Sequence, residues 1–221
     1  MRIEAKGIKK AFGTPAQEVL HGIDFTIESG EFVALTGKSG SGKSTLLYTL
    51  STLDKPTNGK ILYDGEDTSN WDVKTVHRFR NLKTGFVFQF HYLLPELTVL
   101  ENVLLPAMKT HAENQHLDRA KELLETFGIA DKISRLPGQL SGGEQQRVAI
   151  ARSLIMHPKV LFADEPTGNL DTQNGDLVMD LLRKINREEK TTIILITHDP
   201  DFAKQAQRQI HLVDGKLSRT D

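Results

Sequence analysis

One octapeptide constrains this 221-residue chain more than any other feature: GKSGSGKS at 37–44, with Thr45 directly after it. It follows the nearly continuous apolar run EFVALT (31–36) and opens a helical pattern from about Lys43 to Leu53. A match to G-x-x-x-x-G-K-[ST] between a buried strand and a helix is a phosphate-cradling loop. Gly37, Gly40 and Gly42 let the backbone turn tightly and aim N–H groups at phosphate oxygens, and the helix N-terminus adds positive potential. Lys43 reaches the β and γ phosphates, and Ser44 offers a hydroxyl to Mg²⁺. Gly37, Lys38, Ser39, Gly40, Ser41, Gly42, Lys43, Ser44 and Thr45 are thus the candidate nucleotide cradle. ATP and GTP both satisfy it, although the guanine-reading element N-K-x-D is missing from the sequence.

The rest of the chain says what surrounds such a loop. Ile23, Phe25 and Ile27 alternate with polar residues, and Ser29-Gly30 follows, which reads as a hairpin feeding the buried strand 31–36. Strands are expected at 60–63 and 85–89. From about 90 to 158 the pattern is helical: a T-x-x-E capping box at Thr98/Glu101, a helix over about Leu117–Phe127 stopped by Gly128, and a third starting at Ser141. Strands and helices then alternate again: 159–163, a helix over roughly 172–188, 191–197, a helix opened by Asp199-Pro200, and a closing hairpin at 208–218. The expected organisation is one α/β unit with a largely parallel sheet, residues 1–89 and 159–221, interrupted by a helical insert at 90–158.

Bulk properties exclude several classes. A formal net charge of −1 without a basic stripe argues against nucleic-acid binding. With no cysteine there is no disulfide frame and no thiolate chemistry. The N-terminus lacks the apolar run of a signal peptide, and runs such as IILI (193–196) are too short to span a bilayer.

Two more stretches carry chemistry. VLFADE (160–165) is an apolar strand ending in two acids; Asp164 at its tip is placed to hold Mg²⁺, and Glu165 to polarise a water attacking the γ-phosphate. In LSGGEQQRVAIARSL (140–154), Ser141 and Glu144 form a capping box, and Val148, Ala151, Leu154 and Ile155 a buried stripe. Gly142 and Gly143 in that first turn cost roughly 1 kcal/mol each relative to alanine, so something is expected to approach there closely, and a phosphate suits the exposed N–H groups.

LSGGEQQ resembles the signature motif of ABC-type ATPases, and across essentially the whole chain the motifs stand in that family's order. The resemblance implies a P-loop NTPase core with a mainly parallel sheet, an antiparallel β subdomain and an inserted α-helical subdomain. It also implies ATP as the nucleotide and Mg²⁺ as the metal. Phe12 lies where the family stacks an aromatic, more commonly tyrosine, on adenine. Gln89 matches the Q-loop glutamine, which senses Mg²⁺ and the γ-phosphate; Ser141, Gly142 and Gly143 match the signature; Asp164 matches the metal-holding aspartate, Glu165 the catalytic glutamate, GNLD (168–171) the D-loop and His198 the switch histidine. Two copies are implied to pair head to tail, each ATP lying between the phosphate loop of one and the signature of the other.

FQFHYLLPELTVLENV and LSGGEQQRVAIARSL followed by FADEPTGNLD resemble the LolD and MacB group of these ATPases. That implies a separate integral membrane permease docking near Phe90–Leu97, with the ATPase peripheral on the cytoplasmic face of the inner membrane and reaching the membrane only through the permease. The wording looks closest to the lipoprotein-release type. MacB-like macrolide or peptide exporters, and a cell-division regulator that acts through a membrane partner without transport, share the same motifs and stay open as alternatives.

Overall fold

The computed structural model describes residues 1–220. Two sheets organise it. The first is antiparallel, with spatial order β2-β1-β4-β5, built from β1 (Ile3–Phe12), β2 (Gln17–Ile27), β4 (Asn58–Tyr63) and the short β5 (Glu66–Asp67). The second has six strands in the order β10-β9-β3-β8-β7-β6. Here β3 (Phe32–Thr36), β6 (Thr84–Phe88), β7 (Val160–Asp164), β8 (Thr192–Ile196) and β9 (Arg208–Val213) run parallel, and β10 (Lys216–Thr220) adds an antiparallel edge.

The hairpin expected across Ser29-Gly30 does not form. β2 pairs with β1, from Ile3 opposite Ile27 to Phe12 opposite Gln17, while β3 lies between β8 and β9 in the other sheet. The reason is burial. Phe32, Val33, Ala34 and Leu35 are all buried, so this strand needs cover on both faces, which only the middle of a parallel sheet supplies. β2 buries only Leu20, Ile23 and Ile27 and suits a sheet with one open face.

Helix α1 (Lys43–Leu50) follows β3 through the glycine loop, and α2 (Val73–Lys83) precedes β6. Between β6 and β7 lie α3 (Val99–Met108), α4 (Glu113–Thr126) and α5 (Gly142–Leu154), which pack on one another. α6 (Thr172–Glu189) and the short α7 (Pro200–Ala203) complete the α-helices among the described residues. Both expected capping boxes are present, Thr98/Glu101 on α3 and Ser141/Glu144 on α5.

Two apolar clusters result. One lies between the two sheets and includes α1: Ile3, Ile23, Leu46, Leu47, Phe162 and Ile194 among others. The other joins α3–α6 to the opposite face of the parallel sheet, through Val87, Leu161, Ala163, Ile193 and Leu195. The loop 37–44 therefore leaves the C-terminal end of a strand whose two faces are both packed.

Candidate nucleotide site

The geometry of the loop begins with its glycines. Gly37 sits at φ 141°, and a Cβ there would come within 2.3 Å of Leu212 O and 2.7 Å of Ser41 Oγ. Gly42 sits at φ 97°, where a Cβ would come within 2.9 Å of Leu20 Cδ2. No side chain fits either position, so the loop's path is set by close packing against β9 and β2 as well as by the turn itself. Lys43 is buried, and its Nζ donates to the carbonyls of Gly37 and Lys38, each at 3.0 Å.

Five residues from α1 and the ends of two strands, β7 and β8, meet beside it. Ser44 Oγ donates to Asp164 Oδ1 at 3.3 Å, and Tyr48 OH donates to Asp164 Oδ2 at 2.8 Å. Asp164 ends β7 and is buried. Burial pushes its carboxyl above the ordinary aspartate range, and the two hydroxyl donors pull back against that. Burial and the Asp164 carboxylate together push Tyr48 up to about 12. Glu165 follows in the left-handed region, φ 51°, held by its N–H on Ile196 O at 3.0 Å. Its Oε2 lies 2.6 Å from Nδ1 of the exposed His198, just beyond β8. A cleft of about 380 Å³ is lined by Ser39, Gly40, Gly42, Lys43, Ser44, Thr45 and Glu165, with Val19 and Ile196 as its apolar wall. Among the described residues no group of three or more His, Asp or Glu side chains converges as a metal cage.

The other expected residues lie apart from this cleft. Gln89 turns its amide to Asn169, Nε2 donating to Oδ1 at 3.2 Å, and Asn169 Nδ2 returns a bond to Gln89 O at 3.2 Å. Phe12 is exposed near the end of β1 with Lys10 Nζ 4.9 Å from its ring centroid. Ser141 and Gly142 are exposed at the start of α5, and neither lines the phosphate cleft of its own chain. The paired glycines divide: a Cβ on Gly142 meets nothing within 4 Å, whereas one on Gly143 would come within 2.4 Å of Asn174 Oδ1. Close approach at Gly143 is therefore met inside the chain, by α6, and only Gly142 is left open.

Three residues of this region escaped the sequence reading. Tyr48 stands four residues after Ser44, on the same face of α1, so its spacing was a usable signal. Gln146 is fully buried, and its Nε2 donates to Pro166 O at 2.7 Å and Phe88 O at 3.2 Å. Gln146 lies off the Val148, Ala151, Leu154 and Ile155 stripe of α5, so periodicity gave no hint of its burial. Asn169 carried no signal beyond its place in GNLD.

The sequence profile of the family described as "ABC transporter" matches residues 20–168. The chain belongs to the ABC transporter family. Relatives within that family are alike over nearly the full length. The "Lipoprotein-releasing system ATP-binding protein LolD" of Leptospira interrogans is 52% identical over 97% of this chain and 90% of its own. The protein of the same name from Aquifex aeolicus is 49% identical over 97% and 95%. Among solved structures, "Dimeric Structure of MJ0796, a Bacterial ABC Transporter Cassette" superposes with a TM-score of 0.91 at 40% identity, covering 99% of this chain and 97% of that one. The same cassette in a dimeric post-hydrolysis state bound to ADP and Pi gives 0.88 at 37% identity, with the same coverage. The ABC cassette fold, with its parallel and antiparallel sheets and helices between β6 and β7, is thus the fold of this chain.

Proposed function

We propose that this ABC cassette is the ATP-hydrolysing subunit of a lipoprotein-releasing transporter, working as a head-to-tail homodimer beneath a separate membrane permease. The ATPase reading is carried by one observation: the phosphate loop and Glu165 line one cleft, with Asp164 bonded to Ser44 of that loop and His198 paired with Glu165 at its edge. The names of the relatives at 52% and 49% identity support the lipoprotein arm.

In this reading the loop N–H groups and Lys43 hold the β and γ phosphates. Lys43 exchanges the carbonyls of Gly37 and Lys38 for phosphate oxygens. The donor set of Ser44 Oγ and the buried Asp164 carboxylate suits Mg²⁺, a hard ion that takes few protein oxygens and completes its shell with phosphate and water. A carboxylate kept out of solvent with its proton affinity raised is also a site that a cation relieves. When bound, Mg²⁺ neutralises charge on the β and γ phosphate oxygens. Glu165, fixed by its backbone on β8, accepts a proton from the attacking water, and His198 at 2.6 Å orients its carboxylate. Phe12 stacks on adenine. Gln89 leaves Asn169 to sense the metal and the γ-phosphate.

Ser141, Gly142 and Gly143 of one copy close on the phosphates held by the other. None of the three lines the cleft of its own chain, which supports this, as do the dimeric cassettes above. Residues 1–89 and 159–221 act as the catalytic core and 90–158 as the helical unit. Phe90, Tyr92 and Leu94, 62%, 65% and 43% exposed, form the apolar surface offered to the permease near Phe90–Leu97. In this reading the chain meets the membrane, on its cytoplasmic face, through that partner; no helix among the described residues is long and apolar enough to cross a membrane.

Lys43→Ala tests the ATPase arm. Losing a transition-state contact of this kind lowers turnover about a hundredfold or more, and phosphate release near the starting rate would exclude the assignment. Purifying the chain with its membrane subunits and identifying the bound cargo tests the transport arm. A lipoprotein supports the reading; macrolide or peptide efflux instead overturns it.

A further inference from the structure

The segment 89–92 joins β6 to the apolar surface without regular structure, yet side chains from elsewhere hold most of its carbonyls and that of Phe88 at the strand end. Gln146 donates to Phe88 O, Asn169 to Gln89 O, and Arg152 to two in succession: Nη2 to His91 O at 2.8 Å and Nη1 to Tyr92 O at 2.6 Å. Gln146 and Arg152 both belong to α5, the helix whose first residues are Gly142 and Gly143. Tyr92 sits in the left-handed region at φ 46°, a conformation that a residue with a Cβ adopts only when its surroundings hold it there. Arg152 has no carboxylate partner within 4 Å among the described residues. Its planar fork is spent on these two carbonyls, an arrangement a lysine cannot reproduce because its single ammonium lacks the fixed spacing.

We propose that Arg152 is a positioning residue that makes the 91–92 turn and helix α5 move as one body, so that a displacement of the apolar surface is delivered to Ser141–Gly143. From Arg152 to Gly142 is ten residues of helix, a stiff rod of about 15 Å. The rod's far end is the signature, and Gln146 in its middle ties it to the turn after Asp164–Glu165 through Pro166 O. The inference rests on the reading that the permease docks near Phe90–Leu97; what it adds is the mechanical link from that surface to the dimer-closing motif.

The test uses the complex purified with its membrane subunits, compared with the isolated chain. Because the chain has no cysteine, Tyr92→Cys introduces a single thiol for cross-linking to the membrane subunits. Arg152→Lys is then measured for basal turnover alone and for stimulated turnover in the complex. The expected result is a preserved cross-link, basal turnover within twofold of wild type, and at least a tenfold loss of the stimulation, confined to kcat with KM for ATP unchanged. A cross-link with full stimulation overturns the proposal alone. Equal loss of basal and stimulated turnover with a lowered melting temperature assigns Arg152 a purely structural role and also overturns it. Absence of any cross-link removes the docking reading and the proposal together.

Discussion

Asp164 sets the terms at the scale of single residues. Protonated, it is a poor ligand for a cation; burial raises its pKa, and the Tyr48 and Ser44 hydroxyls lower it. Tyr48→Phe removes the 2.8 Å donor, so the carboxyl moves further up. The acidic limb of the kcat/KM profile is expected to shift to higher pH, and an unmoved limb would exclude Tyr48 from the site. The same raised pKa has a consequence for stability. The folded protein keeps this proton to a higher pH than the unfolded chain does, so the contribution of Asp164 falls as pH rises from the unfolded pKa through the folded one. Above that window the ionised carboxylate is a liability relative to its protonated form. Asp164→Asn should therefore raise the melting temperature of the nucleotide-free protein at pH 7 while abolishing Mg²⁺-dependent hydrolysis; a lower melting temperature would contradict this account.

Helix α5 shows how an element separates roles that its sequence runs together. Gly142→Ala meets no atom of its own chain and adds helix propensity. It is expected to leave the melting temperature unchanged or slightly higher while weakening ATP-driven pairing in sedimentation. A destabilised monomer would mean that Gly142 is packed, like Gly143. Gly85 in β6 behaves in the opposite way. A Cβ there would come within 2.4 Å of Ser153 O and 2.8 Å of Leu161 Cδ1. Gly85→Ala should cost about 1–3 kcal/mol, a fall of several degrees in thermal melts for a chain of this size. Elements with strong periodicity or caps were legible: β3, α1, α3, α5, β7, α6 and β8 lie where expected within a few residues. Missing from the sequence reading were β1, whose Lys6, Lys9 and Lys10 obscure its alternation, and α2, which buries only Phe79. α2 carries no apolar stripe of its own, and in β1 a register irregularity between Ala5 and Ile8 breaks the alternation of its buried Ile3, Ala5 and Ile8.

At the scale of the whole molecule, the proposed head-to-tail pair supplies to each cleft what its own chain does not. The phosphate cleft lacks the signature, and the signature faces outward from its own chain. Glu165→Gln keeps the packing of that side chain and removes its basicity, so ATP is expected to bind without being split and to hold two copies together. Light scattering should then show a dimer with ATP and a monomer without it. A monomer at high protein and ATP concentration would rule out the head-to-tail pair for the isolated subunit. The apolar segment after β6 follows the same logic. Leu93 packs against the core and Asn102 secures the chain at Leu94 and Leu97, which leaves Phe90, Tyr92 and Leu94 facing outward.

By itself the sequence determined where the local patterns stand: the phosphate loop between a strand and a helix, the two acids ending an apolar strand and the capped glycine pair opening a helix are each set by spacing along the chain. It also determined the parallel sheet, because a strand apolar on both faces has few alternatives. Only the tertiary structure decided which distant residues meet. That Tyr48 serves Asp164, that Gln89 rests on Asn169, that β2 leaves β3 for another sheet, and that Arg152 grips the turn beyond β6 are contacts between parts of the chain many residues apart. Such pairings follow from how both faces of a sheet are covered and how buried polar groups find partners, and neither condition leaves a periodic trace in a single sequence.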